Sequence, residues 1–205
     1  MRAGFAELAS RHDVTVSGSV LAVPRADRLA VAARLTAAGL WTHADMMTGR
    51  YRGQPGLEAH EIHDLSEVPE VRLDVHVMCD DAEAVVGRLP RAGVRRLTVQ
   101  VDDEHAARRA AAFAERADEL WLAIDPRAWV PDASCGAPGA ASGYLVMLTP
   151  PGQPGHTADL DRLAAVRLLA RSAPVGVDGG VTEANLPAVA AAGAGYAVAG
   201  RALLG

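Results

Sequence analysis

Eight short β-type runs, each followed by a segment patterned for a helix or loop and recurring about every 25 residues, constrain this chain more than any other feature. The runs fall at residues 14–21, 40–45, 72–78, 96–101, 120–124, 144–149, 173–178 and 195–199. Helical spacing is read at 5–11, 25–38, 57–65, 81–92, 104–117, 158–171 and 183–192. Gly39 and Gly93 stand where two of these helices stop. The 127–141 segment is rich in Ala, Gly and Pro, so any helix there is short or irregular. Strands that alternate with helices pair in parallel, and eight such units close into a barrel. The expected fold is therefore α/β, a (β/α)8 TIM barrel forming a single domain over residues 1–205. A doubly wound open sheet fits less well, because it usually has fewer strands and no GxGxxG follows the first run. The sequence ends at Gly205, just past the eighth run, so a truncated or missing C-terminal helix is expected. The 5–11 helix, or the partner in a dimer, is expected to cover the resulting gap.

Composition removes several functional classes. The formal charge is −5, with no basic stripe and no aromatic platform, so nucleic acid is not an expected partner. No run approaches the roughly 18 apolar residues of a membrane span. The N-terminus has an early acid and no long apolar core, unlike a signal peptide, and a cytoplasmic protein is expected. Cys79 and Cys135 are far apart and form no CxxC pair, which indicates neither a disulfide framework nor a thiolate zinc site. All basic residues are Arg, and the absence of Lys excludes chemistry through a lysine Schiff base.

In such a barrel the residues at the C-terminal ends of strands converge on one mouth. In the 173–181 stretch, Val175 and Val177 favour a strand and Asp178 stands at its end. Gly179 and Gly180 then allow close backbone approach to a ligand such as a phosphate. Thr182 is expected to cap the next helix. The other strand ends offer Ser19, His43 with Asp45, and His76. His43 and Asp45 are two apart, so both side chains point to one face. Two imidazoles and two carboxylates, His43, Asp45, His76 and Asp178, suit a divalent metal such as zinc, iron, manganese or cobalt. Met47, Met78 and Met147 are expected to give the same mouth an apolar lining. His12, His60, His63 and His105 are expected on the surface, and His156 near the mouth.

Taken together, these segments resemble the ribulose-phosphate 3-epimerase family of phosphate-binding barrels. The resemblance rests on SGSVL at 17–21, HADMMTG at 43–49, LDVHVM at 73–78, LVM at 145–147 and VDGGV at 177–181. It implies an isomerase of carbohydrate metabolism, a 3-epimerase that interconverts D-ribulose 5-phosphate and D-xylulose 5-phosphate or acts on a related ketose phosphate. His43, Asp45, His76 and Asp178 would hold the metal. Asp45 and Asp178 would also be acid/base groups on the two faces of the substrate, acting through an enediolate. Ser19 would contact substrate or orient a carboxylate, Met47, Met78 and Met147 would line the pocket, and Gly179, Gly180 and Gly200 would place amides around the phosphate. A homo-oligomer is also expected.

The sequence departs from the family pattern at Thr48, at Tyr51-Arg52-Gly53-Gln54, at Gln100, across 151–156 and at Arg201. Arg201 would supply a positive charge toward the phosphate in place of a full eighth helix. These departures keep the chemical centre and change its surroundings. A hexulose or heptulose phosphate is therefore an alternative substrate, and a non-catalytic sugar-phosphate-binding barrel is an alternative function.

Overall fold

The computed structural model describes residues 2–51, 55–132, 139–153 and 155–205. The strands are β1 (Thr15–Ser19), β2 (Trp41–Met47), β3 (Leu73–Met78), β4 (Val94–Val101), β5 (Glu119–Ile124), β6 (Gly143–Met147), β7 (Val175–Asp178) and β8 (Tyr196–Ala199). Each pairs in parallel with the next, and β8 returns to β1, so the sheet closes as a barrel. The fold is the expected TIM barrel. The helices are α1 (Ala3–Arg11), α2 (Arg28–Ala37), α3 (Ala59–Ser66), α4 (Ala82–Val86), α5 (Glu104–Ala110), α6 (Leu163–Leu169), α7 (Leu186–Ala191) and α8 (Arg201–Leu204). Among the described residues none lies between β5 and β6, where Ala, Gly and Pro predominate, and none is long and apolar enough to cross a membrane. Cys135 lies outside the described residues, and Cys79 is buried as a free thiol.

Several helices are shorter than their sequence patterns. The expected 81–92 helix ends at Val86, before Gly87 and Pro90, which lower helix propensity and remove an amide donor. The 104–117 pattern is α-helical only to Ala110 and tightens into a 3-10 helix over Ala111–Arg116. Thr182 does not cap α7, contrary to expectation. The helix begins at Leu186, and the Thr182 N–H instead donates to Asn185 Oδ1 at 2.8 Å. The Asn185 side-chain amide donates in turn to Gly180 O at 2.9 Å, so this residue closes the turn that precedes the helix. At the other end, α8 has four residues. The first helix, α1, packs against β1 and α8 through a fully buried Phe5, and the Arg2 N–H donates to Leu203 O at 2.8 Å.

Apolar packing forms two layers. The larger lies between strands and helices, with Val16, Leu35, Ile62, Val75, Leu97 and Leu148 at its centre. The smaller lies inside the barrel and contains Trp121, Leu145, Met147, Tyr196 and Val198, with Trp41 against it. TIM-barrel interiors are usually filled by branched aliphatic residues. Here two large rings enter at the closed end, and two glycines make room for them. A Cβ on Gly176 would come within 2.8 Å of Tyr196 Cδ1, and one on Gly143 within 3.1 Å of Trp121 Cε2.

Candidate metal centre

Parallel pairing sets the site. In the β2–β3 register Asp45 lies beside His76 and His43 beside Asp74; β1 places Ser19 beside His43. Alternation along β2 and β3 then sends His43, Asp45, Asp74 and His76 to the barrel interior. Asp178 enters from the end of β7. One ligand-type atom from each of His43, Asp45, His76 and Asp178 lies within 4.8 Å of the others. The structure thus brings together all four residues expected as ligands.

The distances indicate how the group is held. His43 Nε2 is 3.1 Å from Asp45 Oδ1 and 3.7 Å from Asp178 Oδ2. His76 Nδ1 is 3.4 Å and 3.7 Å from the same two oxygens. A tetrahedron with ~2 Å metal bonds has edges of about 3.3 Å, so these separations suit ligation. His76 gives a second test of fit. Its ring is fully buried, yet neither nitrogen has a hydrogen-bond partner. A buried polar atom without a partner is costly, and a cation facing Nδ1 would relieve that cost. The donor set therefore fits a divalent metal.

Neighbouring groups orient these side chains. Ser19 Oγ donates to Asp45 Oδ2 at 3.0 Å, leaving Oδ1 toward the imidazoles. His43 Nδ1 lies 3.0 Å from Asp74 Oδ2. A carboxylate only accepts, so Nδ1 carries the hydrogen, as in other metal sites where a carboxylate fixes a histidine ligand. Asp74 is fully buried and also accepts from Thr98 Oγ1 at 2.8 Å and Tyr196 OH at 2.7 Å. Burial disfavours a charged His43, but Asp45 and Asp74 outweigh it and raise its pKa well above the usual value. Burial likewise opposes ionisation of Asp45 and Asp74, but His43 is the main influence that lowers both. Burial opposes charge on His76 too, and contacts with Asp178 and Asp45 raise its pKa. The centre favours positive charge between its carboxylates, supplied by protons or by a cation that displaces them.

The centre lies in a cavity of about 540 Å³ at the C-terminal mouth. Ser19, Met47, Met78 and Met147 line one part, with Val198 nearby. Thr149, His156, Gly179, Gly180, Gly200 and Arg201 also line the cavity. Gly179 and Gly180 have φ of +103° and +65°. Added Cβ atoms would come within 2.2 Å of Thr149 Oγ1 and 2.4 Å of Ala158 N, so these glycines also let the loops after β6 and β7 pack closely. Arg201 begins α8 and is exposed, with its guanidinium near Gly155 in the loop after β6. His12, His60, His63 and His105 are exposed, as expected. Of the residues that depart from the family pattern, 52–54 and Pro154 lie outside the described residues. A larger hollow, about 710 Å³, lies at the opposite face near Arg72, Arg91, Arg95 and Arg116. Three of these arginines have local partners: Arg95 pairs with Asp118 at 2.5 Å, Arg116 donates through Nη2 to Val86 O and Leu89 O, and Arg72 donates to Gly39 O at 3.4 Å. No His/Asp cluster stands there among the described residues, so the smaller cavity is the candidate site.

The sequence did not single out Asp74, Thr98, Arg96 or Tyr196. Asp74 had a usable signal, because it is two residues before His76 on the same strand and must share its face. The other three carried none until the register of β3, β4 and β8 was known.

Known proteins resemble this chain in sequence and in fold. The family model described as "Ribulose-phosphate 3 epimerase family" matches residues 15–204. A ribulose-5-phosphate-3-epimerase, chloroplastic, of Arabidopsis thaliana is 27% identical over 96% of this chain and 73% of its own length. A ribulose-phosphate 3-epimerase of Rhodobacter capsulatus is 28% identical over 78% of this chain and 72% of its own. Among solved structures, a phosphoribosyl anthranilate isomerase from Thermus thermophilus superposes with a TM-score of 0.65, at 15% identity, covering 93% of this chain and 88% of the other. That likeness concerns the fold alone.

Proposed function

The chain belongs to the ribulose-phosphate 3-epimerase family and is a carbohydrate epimerase, an isomerase; from that premise we propose that it is a metal-dependent 3-epimerase of a ketose phosphate, with D-ribulose 5-phosphate and D-xylulose 5-phosphate as the first pair to test. The observation that carries this reading is the convergence of two carboxylates and two imidazoles within 4.8 Å at the mouth of the barrel. His43, Asp45, His76 and Asp178 would hold the cation. When bound, it would supply Lewis acidity toward the oxygens flanking the reacting carbon, lowering the cost of removing a weakly acidic proton.

The proton transfers fall to Asp45 and Asp178. They arise from β2 and β7, with β8 and β1 between them in the barrel ring, so they approach a substrate from different sides. One carboxylate takes the C3 proton, and the other, entering the step as the acid, returns a proton to the opposite face of the planar enediolate. Inversion at one carbon requires this pair when the substrate does not turn over in the site. Ser19 holds Asp45 by a hydrogen bond at 3.0 Å, which fixes the carboxylate that must meet C3. Met47, Met78 and Met147 exclude water beside the reacting carbon, limiting competing protonation. Gly179, Gly180 and Gly200 allow the backbone to approach the phosphate, and Arg201 provides its counter-charge.

Proton exchange tests this reading directly. With D-ribulose 5-phosphate in deuterium oxide, the chain should replace hydrogen at C3 by deuterium and accumulate D-xylulose 5-phosphate. Absence of both would contradict the reading for this substrate. The same chemistry on a longer ketose phosphate is a second reading, favoured by Thr48, Gln100 and Arg201, where the mouth departs from the family pattern. Exchange on a hexulose or heptulose phosphate, with none on the pentulose, would establish it.

A further inference from the structure

We propose that Tyr196 and Arg96, at the closed end of the barrel, are positioning residues for the metal centre: they hold the Asp74 carboxylate, and through it the His43 ring, in the orientation that turns Nε2 toward the other three ligands. The proposal rests on the metal-centre reading above and extends it to residues remote from the mouth.

The chain of contacts is continuous. Tyr196 OH donates to Asp74 Oδ2 at 2.7 Å, and the same oxygen lies 3.0 Å from His43 Nδ1. Thr98 Oγ1 donates to the other oxygen at 2.8 Å. Three donors from β2, β4 and β8 thus fix a carboxylate carried by β3. A carboxylate fixed in this way leaves the His43 ring one favourable orientation, since rotation would lose a charge-assisted bond inside a dry core.

The tyrosine is held in turn. Arg96 Cζ sits 4.3 Å from the centroid of its ring, 4.0 Å from that of Trp121 and 4.4 Å from that of Trp41. Trp121 and Trp41 also meet Tyr196 directly, at centroid distances of 5.7 Å and 6.1 Å. Arg96 is fixed by two donated bonds, from Nε and Nη2, to Glu119 Oε2 at 2.9 and 2.8 Å. Trp121 Nε1 donates to that same oxygen at 3.0 Å. The β3–β4 register also sets Arg96 beside Asp74, so the guanidinium brings a buried positive charge to that side of the barrel.

Packing alone does not account for these residue types. A phenylalanine would fill the Tyr196 ring slot, and an aliphatic residue would fill the interior at Arg96 with a lower desolvation cost. The hydroxyl is directed at the one carboxylate that touches a ligand histidine outside the ligand set.

Chelator competition tests the proposal. Protein carrying one zinc per chain is challenged with a chromogenic chelator, and the affinity is read from the zinc transferred. Tyr196→Phe, which keeps the ring, should bind zinc about tenfold more weakly, within the range for loss of an outer partner of a metal ligand. Its cobalt-loaded form should show an altered visible spectrum as the His43 ligand shifts. Arg96→Met should weaken zinc binding in the same direction by a smaller factor. In an Asp74→Asn background the Tyr196→Phe change should add no further loss, because the two act through one contact. Wild-type affinity and spectrum in Tyr196→Phe would overturn the proposal, even with a lowered melting temperature, as would full additivity with Asp74→Asn. Failure of the unaltered chain to retain any zinc or cobalt would instead contradict the metal-centre reading on which this one stands.

Discussion

At the closed end of the barrel a buried cation, Arg96, lies over three aromatic rings and is paired with Glu119. At the open end two carboxylates and two imidazoles face one another, and both nitrogens of His76 lack a hydrogen-bond partner. Both ends bury charge, and Arg96 Nη1 lacks a hydrogen-bond partner as the His76 nitrogens do; but the guanidinium is packed on rings and ion-paired, whereas the groups at the open end converge on a shared point beside a cavity. The difference marks which end is built to be completed by a ligand. It also separates two kinds of energetic cost. Loss of a packing residue at the closed end should appear mainly in stability, loss of a residue that holds Asp74 also in metal affinity, and loss at the open end mainly in binding and turnover.

That separation can be broken by mutation, and the largest effect belongs to the mouth. Asp178→Asn should lower turnover by about 10²–10⁴-fold or more, the usual contribution of a positioned acid or base, with far-UV circular dichroism unchanged. Retained turnover would remove Asp178 from the chemistry. At the closed end, Trp121→Ala should destabilise the fold by about 3–5 kcal/mol in urea unfolding, since the residue is 5% exposed and its removal leaves a large cavity. If Asp178→Asn lowered stability as much as Trp121→Ala, the contrast between the two ends would fail. The smallest effect sharpens the picture within the mouth. Arg201→Ala should raise KM for a phosphorylated substrate about tenfold with little change in kcat, as expected for loss of a charge-assisted contact to a group distant from the reacting carbon. An unchanged KM would assign Arg201 to solvent.

The two ends also differ in how far the sequence reveals them. The mouth was legible because strand ends converge in a barrel and alternation keeps His43 and Asp45 on one face; both rules act over a few residues. The barrel itself followed from the strand–helix alternation. Helix lengths were less legible: Gly87 and Pro90 stop α4 early, and the 111–116 segment tightens into a 3-10 helix despite its alanines. The closed end was hidden for a different reason. Arginine is almost never fully buried, so Arg96, next to Arg95 near the start of its strand, reads as a surface residue. Tyr196 meets Asp74 across a sequence separation of 122 residues, and that contact exists only once all eight strands have closed in register. Local rules reach the residues that face a ligand, whereas their support depends on the closed ring.

The central claim is that the open end is a metal centre, and the most direct test is the metal content of the chain purified without added metal. Elemental analysis should find one divalent cation per chain, and less than about a tenth of that after His43→Ala and His76→Ala are combined, because two of four ligands are then absent. A folded chain that carries no stoichiometric metal, or a double variant that keeps it, would contradict the account.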